Sequence, residues 1–310
     1  MHKFSYDKYV NYILQKKTIW DRDDLNYKNQ YIPSRLYKYG SFKKRKYVDS
    51  TLENICCNRI WMPKVTTLND PFEFSLFDYE DVNTGSKVEF RDEILNSFCV
   101  LSLTSSPKNY VMWSMYSDTH KGYCFEFGVT DSSKIYPVTY RSRQKKCSNV
   151  VNRMYKEKQR LLSSPIEELS GKDFALLANL QRILLYKKSE WSYENEFRIV
   201  ERFDDNKCLI DGDGTWISLP KYGLKLERII LGCYCTNFKI KKVIGYVNNA
   251  NSAVFDKYSR IFPLSSKDDI IKMINENGDF IEVAILVKKA GRLELTERIY
   301  PRQNGIAIDI

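Results

Sequence analysis

The sequence predicts an α+β fold in which the strands of central mixed or antiparallel sheets alternate with short helices. The first observation is a series of short runs rich in aromatic and β-branched residues, which predict strands. These runs lie at 34–42, 60–62, 99–104, 122–129, 136–140, 196–203, 215–219 and 226–232. The second is the helical periodicity of the segments between several of them, at 50–59, 88–98 and 107–118. In the 50–59 helix, Ser50 or Thr51 is the expected N-cap.

Residues 149–188 break this rhythm, because they combine a long charged segment with the apolar run FALLANLQRILLY. We expect a helical hairpin of about 149–188, inserted between strands. The chain is predicted to form a catalytic-like domain at 1–247. An α/β extension at 248–310 is expected either to fold separately or to belong to the same domain.

Outside the central region, three further helices and one hairpin are expected. The helices lie at 5–16, 235–247 and 266–277. The runs IEVAILVKK and RLELTERIY are joined by Ala290 and Gly291, a connection that favours a β-hairpin.

Composition narrows the classes of function. The 310 residues carry a formal charge of +10, which favours an acidic partner, nucleic acid first, although a dispersed charge would also serve solubility. The 8 cysteines are spread without a CxxC pair and there are only 2 histidines, so no metal site is expected. No signal peptide and no membrane-spanning run is recognised, so we expect free thiols and a cytoplasmic location.

The segment 188–203, KSEWSYENEFRIVERF, holds the residues most suited to chemistry. If it is one strand, period-two alternation places Glu194, Glu196 and Arg198 on a single face. Two carboxylates and a guanidinium on one face are typical either of an ion-pair ladder or of an active site, and the pattern alone does not choose.

Four clusters follow one another along the chain: LYKY at 36–39, LNDPFE at 68–73, MWSMYSDTHKGYCFEF at 112–127 and EWSYENEFR at 190–198. Together they resemble a bacterial domain family of unknown function that is found near mobile elements and defence genes. The resemblance spans roughly Arg35 to Gly232.

The order of these features is also, more distantly, similar to that of ADP-ribosyltransferase toxins that act on nucleic acid. The resemblance implies an ADP-ribosyltransferase-like fold and NAD as a substrate. It implies catalysis by Glu196 with Glu194 as a helper. The residues it implies for binding NAD are Tyr37, Lys38, Tyr39, Trp113, Tyr116 and Arg198, with Lys38 or Arg198 at the pyrophosphate. Where those toxins usually have His or Arg in the first motif, this chain has Tyr37, Lys38 and Tyr39.

The same resemblance implies a setting. The protein would be a toxin or effector of a toxin–antitoxin or phage-defence system, modifying nucleic acid, RNA rather than DNA, and held in check by a neutralising antitoxin protein. Release of nicotinamide passes through an oxocarbenium-like ribose, which a carboxylate stabilises without a metal. We expect LYKY, Asp70, Trp113 and Glu196 to converge in one cleft.

Two alternatives stay open. A metal-dependent nuclease could draw its carboxylates from Asp70, Glu73, Glu194 and Glu196, and a chelator would abolish its activity. A non-enzymatic module could bind RNA or DNA by stacking and phosphate contacts alone, with the glutamates in a structural role.

Overall fold

The computed structural model describes residues 4–5, 8–9, 27–43, 45–70, 73, 98–143, 157, 160, 170, 173, 184–202 and 212–296. The strands in these ranges are β1 (Arg35–Gly40), β2 (Arg59–Pro63), β3 (Phe98–Thr104), β4 (Tyr123–Val129), β5 (Ile135–Pro137), β6 (Thr139–Arg141), β7 (Tyr186–Lys188), β8 (Glu196–Arg202), β9 (Gly214–Ser218), β10 (Leu224–Leu231), β11 (Glu282–Lys289) and β12 (Arg292–Leu295). The α-helices are α1 (Arg45–Cys56), α2 (Tyr110–Tyr116), α3 (Asn237–Ile261) and α4 (Lys267–Glu276).

The largest sheet has eight strands in the order β12-β11-β10-β4-β1-β3-β8-β5. It is mixed, because β10 and β11 are parallel whereas β10 and β4, and β4 and β1, are antiparallel. Two small sheets pair β2 with β9 and β6 with β7. The α+β class predicted from the sequence is thus confirmed. No helix in the described part of the chain is long and apolar enough to span a membrane.

By its contacts, the chain divides into two compact units, each assembled from separate segments. Unit 1 comprises residues 1–33, 61–102 and 132–216, and unit 2 comprises 34–60, 103–131 and 217–310. Helix α3 runs without a break through residue 248, so no element ends at the expected domain boundary. The division into domains at 247 stays a prediction.

In unit 1, short strands bring distant segments together. Strand β8 pairs antiparallel with β5, so that Arg198 lies opposite Tyr136. Strands β6 and β7 are parallel, with Tyr140 opposite Lys187. Next to β5, the fully buried ammonium of Lys28 donates to the backbone carbonyls of Ser132 and Ile135 at 2.7 and 2.9 Å. Such bonds satisfy a charge that would otherwise be costly to bury.

In unit 2, β4 is an interior strand, paired with β1 on one edge and with β10 on the other. Six of its seven residues are buried, as expected for a strand covered on both faces. The β11–β12 hairpin turns at Ala290 and Gly291, whose φ angles of 48° and 75° are those that a two-residue type I′ turn requires. This hairpin was predicted correctly.

Three boundaries differ from the sequence predictions. Helix α1 begins at Arg45, five residues before the predicted N-cap, and Ser50 lies within it. Helix α3 continues to Ile261. Within it the buried Asn251 side chain donates to the Ile281 carbonyl at 3.0 Å and accepts from the Ile281 N–H at 2.9 Å. Residues 186–188 form β7 rather than the end of a helix.

Several predictions fall mainly on residues that the structure does not describe. These are the helices at 5–16 and 88–98 and most of the helical hairpin at 149–188, where residues 157, 160, 173, 184 and 185 are described and helical.

Candidate functional site

The two glutamates of the candidate site lie in unit 1 on different elements. Strand β8 begins at Glu196, whereas Glu194 ends the 3-10 segment Ser189–Glu194. Asn195 joins the two elements in the left-handed region, with φ 43°, a conformation that Asn tolerates better than most residues. The prediction that both carboxylates alternate along one strand was therefore wrong, although they still converge.

Arg198 holds the Glu196 carboxylate with two hydrogen bonds. Its Nε and Nη2 donate to Oε1 and Oε2 of Glu196 at 2.7 and 3.0 Å. Nη2 also donates to Oε1 of Glu73 at 2.5 Å, and Nη1 donates to the Leu184 carbonyl at 2.6 Å. The paired geometry is the one in which Arg binds a carboxylate most strongly and specifically.

Lys187 is the second cation, and it links all three carboxylates. Its Nζ lies 2.6 Å from Oε2 of Glu194, 3.2 Å from Oε2 of Glu196 and 3.5 Å from Oε2 of Glu73. The same ammonium lies 5.0 Å from the centre of the half-buried Trp191 ring, within cation–π distance. We call Glu73, Lys187, Glu194, Glu196 and Arg198 the glutamate cluster.

The glutamate cluster is almost closed to solvent. Exposure is 0% for Arg198, 3% for Glu194 and 4% for Glu196. Its neighbours add polar contacts, since the backbone N–H of Glu196 donates to the Tyr140 hydroxyl at 2.8 Å and the Ser102 side chain hydrogen-bonds the carboxylate.

Burial and ion pairing act in opposite directions on the protonation of Glu196. Burial alone would raise the pKa of this carboxyl, but the charges of Arg198 and Lys187 outweigh it and lower the pKa from 4.5 to about 2. Burial would likewise lower the pKa of Lys187, but the neighbouring glutamates raise it. Glu196, Lys187 and Arg198 are therefore ionised at neutral pH.

Counted by formal charge, the glutamate cluster holds three carboxylates and two cations, an excess of one carboxylate among these five residues. A buried, fixed and ionised carboxylate in excess can stabilise positive charge on a bound substrate. It is unsuited to general-acid chemistry near pH 7, because a carboxyl with a pKa of about 2 holds no proton there.

Asp70 and Tyr193 belong to the same unit. Burial raises the pKa of the Tyr193 phenol, and the charges of Glu194 and Asp70 raise it further. Asp70 is itself buried. The Tyr193 phenol thus lies within electrostatic range of both Glu194 and Asp70.

The other residues predicted to bind NAD lie in unit 2. Tyr39 contacts Trp113 edge to face with ring centres 5.1 Å apart, and both side chains are buried. The Tyr39 hydroxyl donates to the Ser106 carbonyl, and the Trp113 indole donates to Pro107. Both rings thus serve packing in this conformation, and their role in binding NAD stays a prediction.

Tyr37, Lys38 and Tyr116 complete that set. Tyr37 pairs with Glu126 of β4 and Thr104 of β3, and burial, with the Glu126 charge, raises the pKa of its phenol to about 12. Lys38 and Tyr116 are half-buried. Two further expectations stay predictions: that LYKY and Trp113 converge with Glu196, and that Arg198 contacts a pyrophosphate. Contact of Arg198 with a pyrophosphate would require the glutamate cluster to open.

Sequence reasoning missed Lys187, Ser102 and Tyr140. Lys187 lies within the segment that was predicted as a helical hairpin, so the sequence did not predict that it contacts the glutamates. The signal was nevertheless present, because two glutamates in an aromatic-framed segment need a cation if they are to be buried.

In the ranges that the structure describes, no group of three or more His, Cys, Asp or Glu side chains is arranged to hold a metal ion. Lys187 and Arg198 occupy the positions between the carboxylate oxygens of the glutamate cluster.

Residues 112–199 match a family described as "Protein of unknown function (DUF2971)". This range contains the clusters around Trp113 and Glu196, whereas those at 36–39 and 68–73 lie outside it. The expected resemblance to a family of unknown function is confirmed for residues 112–199, whereas the resemblance to ADP-ribosyltransferase toxins stays a prediction. No curated protein and no solved structure is found to match the chain.

Proposed function

We propose that the protein is an NAD-dependent ADP-ribosyltransferase whose catalytic carboxylate is Glu196. The observation that carries this proposal is the buried excess of one carboxylate over the two cations of the glutamate cluster. A site of this kind favours a substrate that becomes positively charged as it reacts.

Transfer of ADP-ribose creates such a charge. The bond between the ribose C1′ and the nicotinamide nitrogen breaks, and its electron pair leaves with nicotinamide. The ribose becomes oxocarbenium-like until a nucleophile of the acceptor bonds to C1′ and releases a proton. Glu196 supplies a charge that Arg198 and Lys187 hold in place before the reaction.

The remaining roles follow from position. Glu194 ends the segment that carries the half-buried Trp191 and Tyr193, so it is the member of the glutamate cluster suited to orient the ribose or the acceptor. The formal charge of +10 favours nucleic acid as acceptor, RNA rather than DNA. Such an activity would harm its own cell, and a neutralising antitoxin in a toxin–antitoxin or phage-defence system accounts for its control.

The test is incubation of the protein with NAD labelled in the adenosine phosphate, together with RNA, DNA or cell lysate. We expect nicotinamide release and label on a macromolecule. Glu196→Gln should lower the rate of nicotinamide release per folded molecule about a hundredfold or more, as loss of one preorganised electrostatic contact does. Glu73→Gln removes a carboxylate from the same network and is the matched control. If both lower the rate equally, integrity of the network, and not the Glu196 charge, determines activity.

The alternative of a metal-dependent nuclease would draw on the same carboxylates, with the metal in place of the Lys187 ammonium. It predicts degradation of nucleic acid that stops on addition of a chelator and needs no NAD. Label transfer that continues in the chelator would exclude it as the source of that activity.

A further inference from the structure

Unit 2 has a surface on which exposed aromatic rings adjoin exposed cations. Tyr110 begins helix α2, Tyr234 lies in the loop before α3, and the hairpin of β11 and β12 carries Lys288, Lys289 and Arg292. We call these five residues the hairpin surface. The two tyrosine side chains are 49% and 51% exposed, far more than ordinary core tyrosines.

Contacts among these elements make the surface continuous. The Tyr110 hydroxyl donates to the Gly291 carbonyl at 3.2 Å and accepts from the Leu293 N–H at 3.1 Å, which ties α2 to the hairpin turn. The Lys288 ammonium lies 4.2 Å from the centre of the Tyr234 ring and donates to its hydroxyl. Both rings are thereby held in place before any ligand arrives.

The loop next to Tyr234 is held in a costly backbone conformation. Asp118, Thr119 and His120 are consecutive non-glycine residues with φ of 49°, 51° and 64°. At such angles the Cβ atom crowds the backbone, and strain of this kind collects at binding sites. The loop is fixed by hydrogen bonds, among them Tyr234 N–H to the His120 carbonyl at 3.0 Å.

Polar groups lie beside the Tyr234 ring. The His120 imidazole meets it edge to face with centres 6.3 Å apart, and His120 Nε2 is 3.3 Å from the hydroxyl of the exposed Ser114. A hydroxyl and an imidazole next to a stacking ring can exchange hydrogen bonds with a ribose 2′-hydroxyl, which distinguishes RNA from DNA.

The charge on the hairpin surface is positive. Lys288, Lys289 and Arg292 are exposed, and the acid that faces them across the hairpin is Glu294, 3.8 Å from Lys289. A ligand that offers flat rings together with regularly spaced negative charges satisfies both features, and unpaired nucleic acid is such a ligand.

We propose that the hairpin surface binds single-stranded RNA, with bases stacked on Tyr110 and Tyr234 and phosphates near Lys289 and Arg292. This deepens the proposed function, on which it rests in so far as the RNA is taken to be the acceptor. Base stacking on exposed rings requires unpaired bases, so a duplex should bind less well.

The experiment is fluorescence anisotropy with the full chain and a labelled oligouridylate of about 16 nucleotides, without NAD. We expect saturable binding that weakens with salt, and tighter binding than to the matching oligothymidylate. Tyr234→Ala should weaken binding roughly tenfold. Its matched control is Tyr47→Ala, an equally exposed tyrosine on α1, which should bind like the wild type.

Charge is tested with a second matched pair. Lys289→Glu should weaken binding and reduce the salt dependence by about one ion or more. Lys272→Glu is its control, because both lysines are 75% exposed and lie near a glutamate, at 3.8 and 4.0 Å. The proposal is wrong if the variants at Tyr234 and Lys289 bind RNA as tightly as their controls. It is also wrong if the wild type self-associates through the hairpin surface and binds no RNA.

The two proposals fail separately. Glu196→Gln should keep its affinity for RNA, because Glu196 is not one of the five residues of the hairpin surface. If the wild type turns over NAD but binds no RNA, the proposal for the hairpin surface is wrong and the proposed enzyme is unaffected. If the wild type binds RNA but does not turn over NAD, the proposed enzymatic function is wrong and the proposal for the hairpin surface is unaffected. Equal affinity for the oligothymidylate overturns the assignment to RNA.

Discussion

Glu196→Gln should lower the free energy of unfolding by about 3 kcal/mol at pH 7. The pKa of Glu196 falls from 4.5 to about 2 on folding, and each pKa unit corresponds to about 1.4 kcal/mol. Breaking a buried ion pair costs about 3–5 kcal/mol, which agrees.

The cost should lie near the lower end of that range, for two reasons. Glutamine has nearly the same volume, so no cavity forms, and its carbonyl can still accept one bond from Arg198. The charge balance also improves, because two carboxylates, Glu73 and Glu194, then face two cations.

The assay is urea unfolding at pH 7, followed by tryptophan fluorescence, with the slope of the transition compared between variants. Glu227→Gln is the matched control, because Glu227 pairs with Arg35 at 2.8 Å but on the surface. That exposed pair should contribute less than about 1 kcal/mol. Equal midpoints for the two variants would refute the account of Glu196 as a buried, ion-paired carboxylate.

Three further predictions follow from the structure. The stabilisation from the depressed pKa of Glu196 should be fully present above pH 4.5 and lost as the pH falls through about 2, which acid unfolding measures. Asn109→Ala should cost about 1 kcal/mol in urea unfolding, because the side chain caps α2 by accepting from Val111 and Met112 N–H; Asn109→Asp should not. Ala290→Gly should raise the melting temperature, because Gly adopts the φ of 48° without strain.

Much of the fold could be predicted because local patterns determine it. Alternation of apolar and polar residues identified β1, β8, β11 and β12 as strands, and the Ala-Gly pair identified the turn between the last two. Helix α3 was predicted too short, since its asparagines have low helix propensity and the tertiary contact of Asn251 with Ile281 is not visible in sequence.

The candidate site was predictable only in part. The sequence identified Glu194, Glu196 and Arg198 as a group, and Glu73 as a further carboxylate. It could not show that Arg198 reaches Glu73, 125 positions away along the chain. The turn at Asn195 also depends on a left-handed residue, which period-two alternation does not reveal.

The interleaving of the two units has a consequence for synthesis on the ribosome. Unit 1 needs chain up to residue 216, and β10 to β12 of unit 2 are made later still. Neither unit can finish folding when its first segments leave the ribosome. Strands made early therefore stay unpaired until later strands are synthesised, and unpaired strands are prone to misassociation. For the same reason a fragment covering only the matched range 112–199 would carry parts of both units and complete neither.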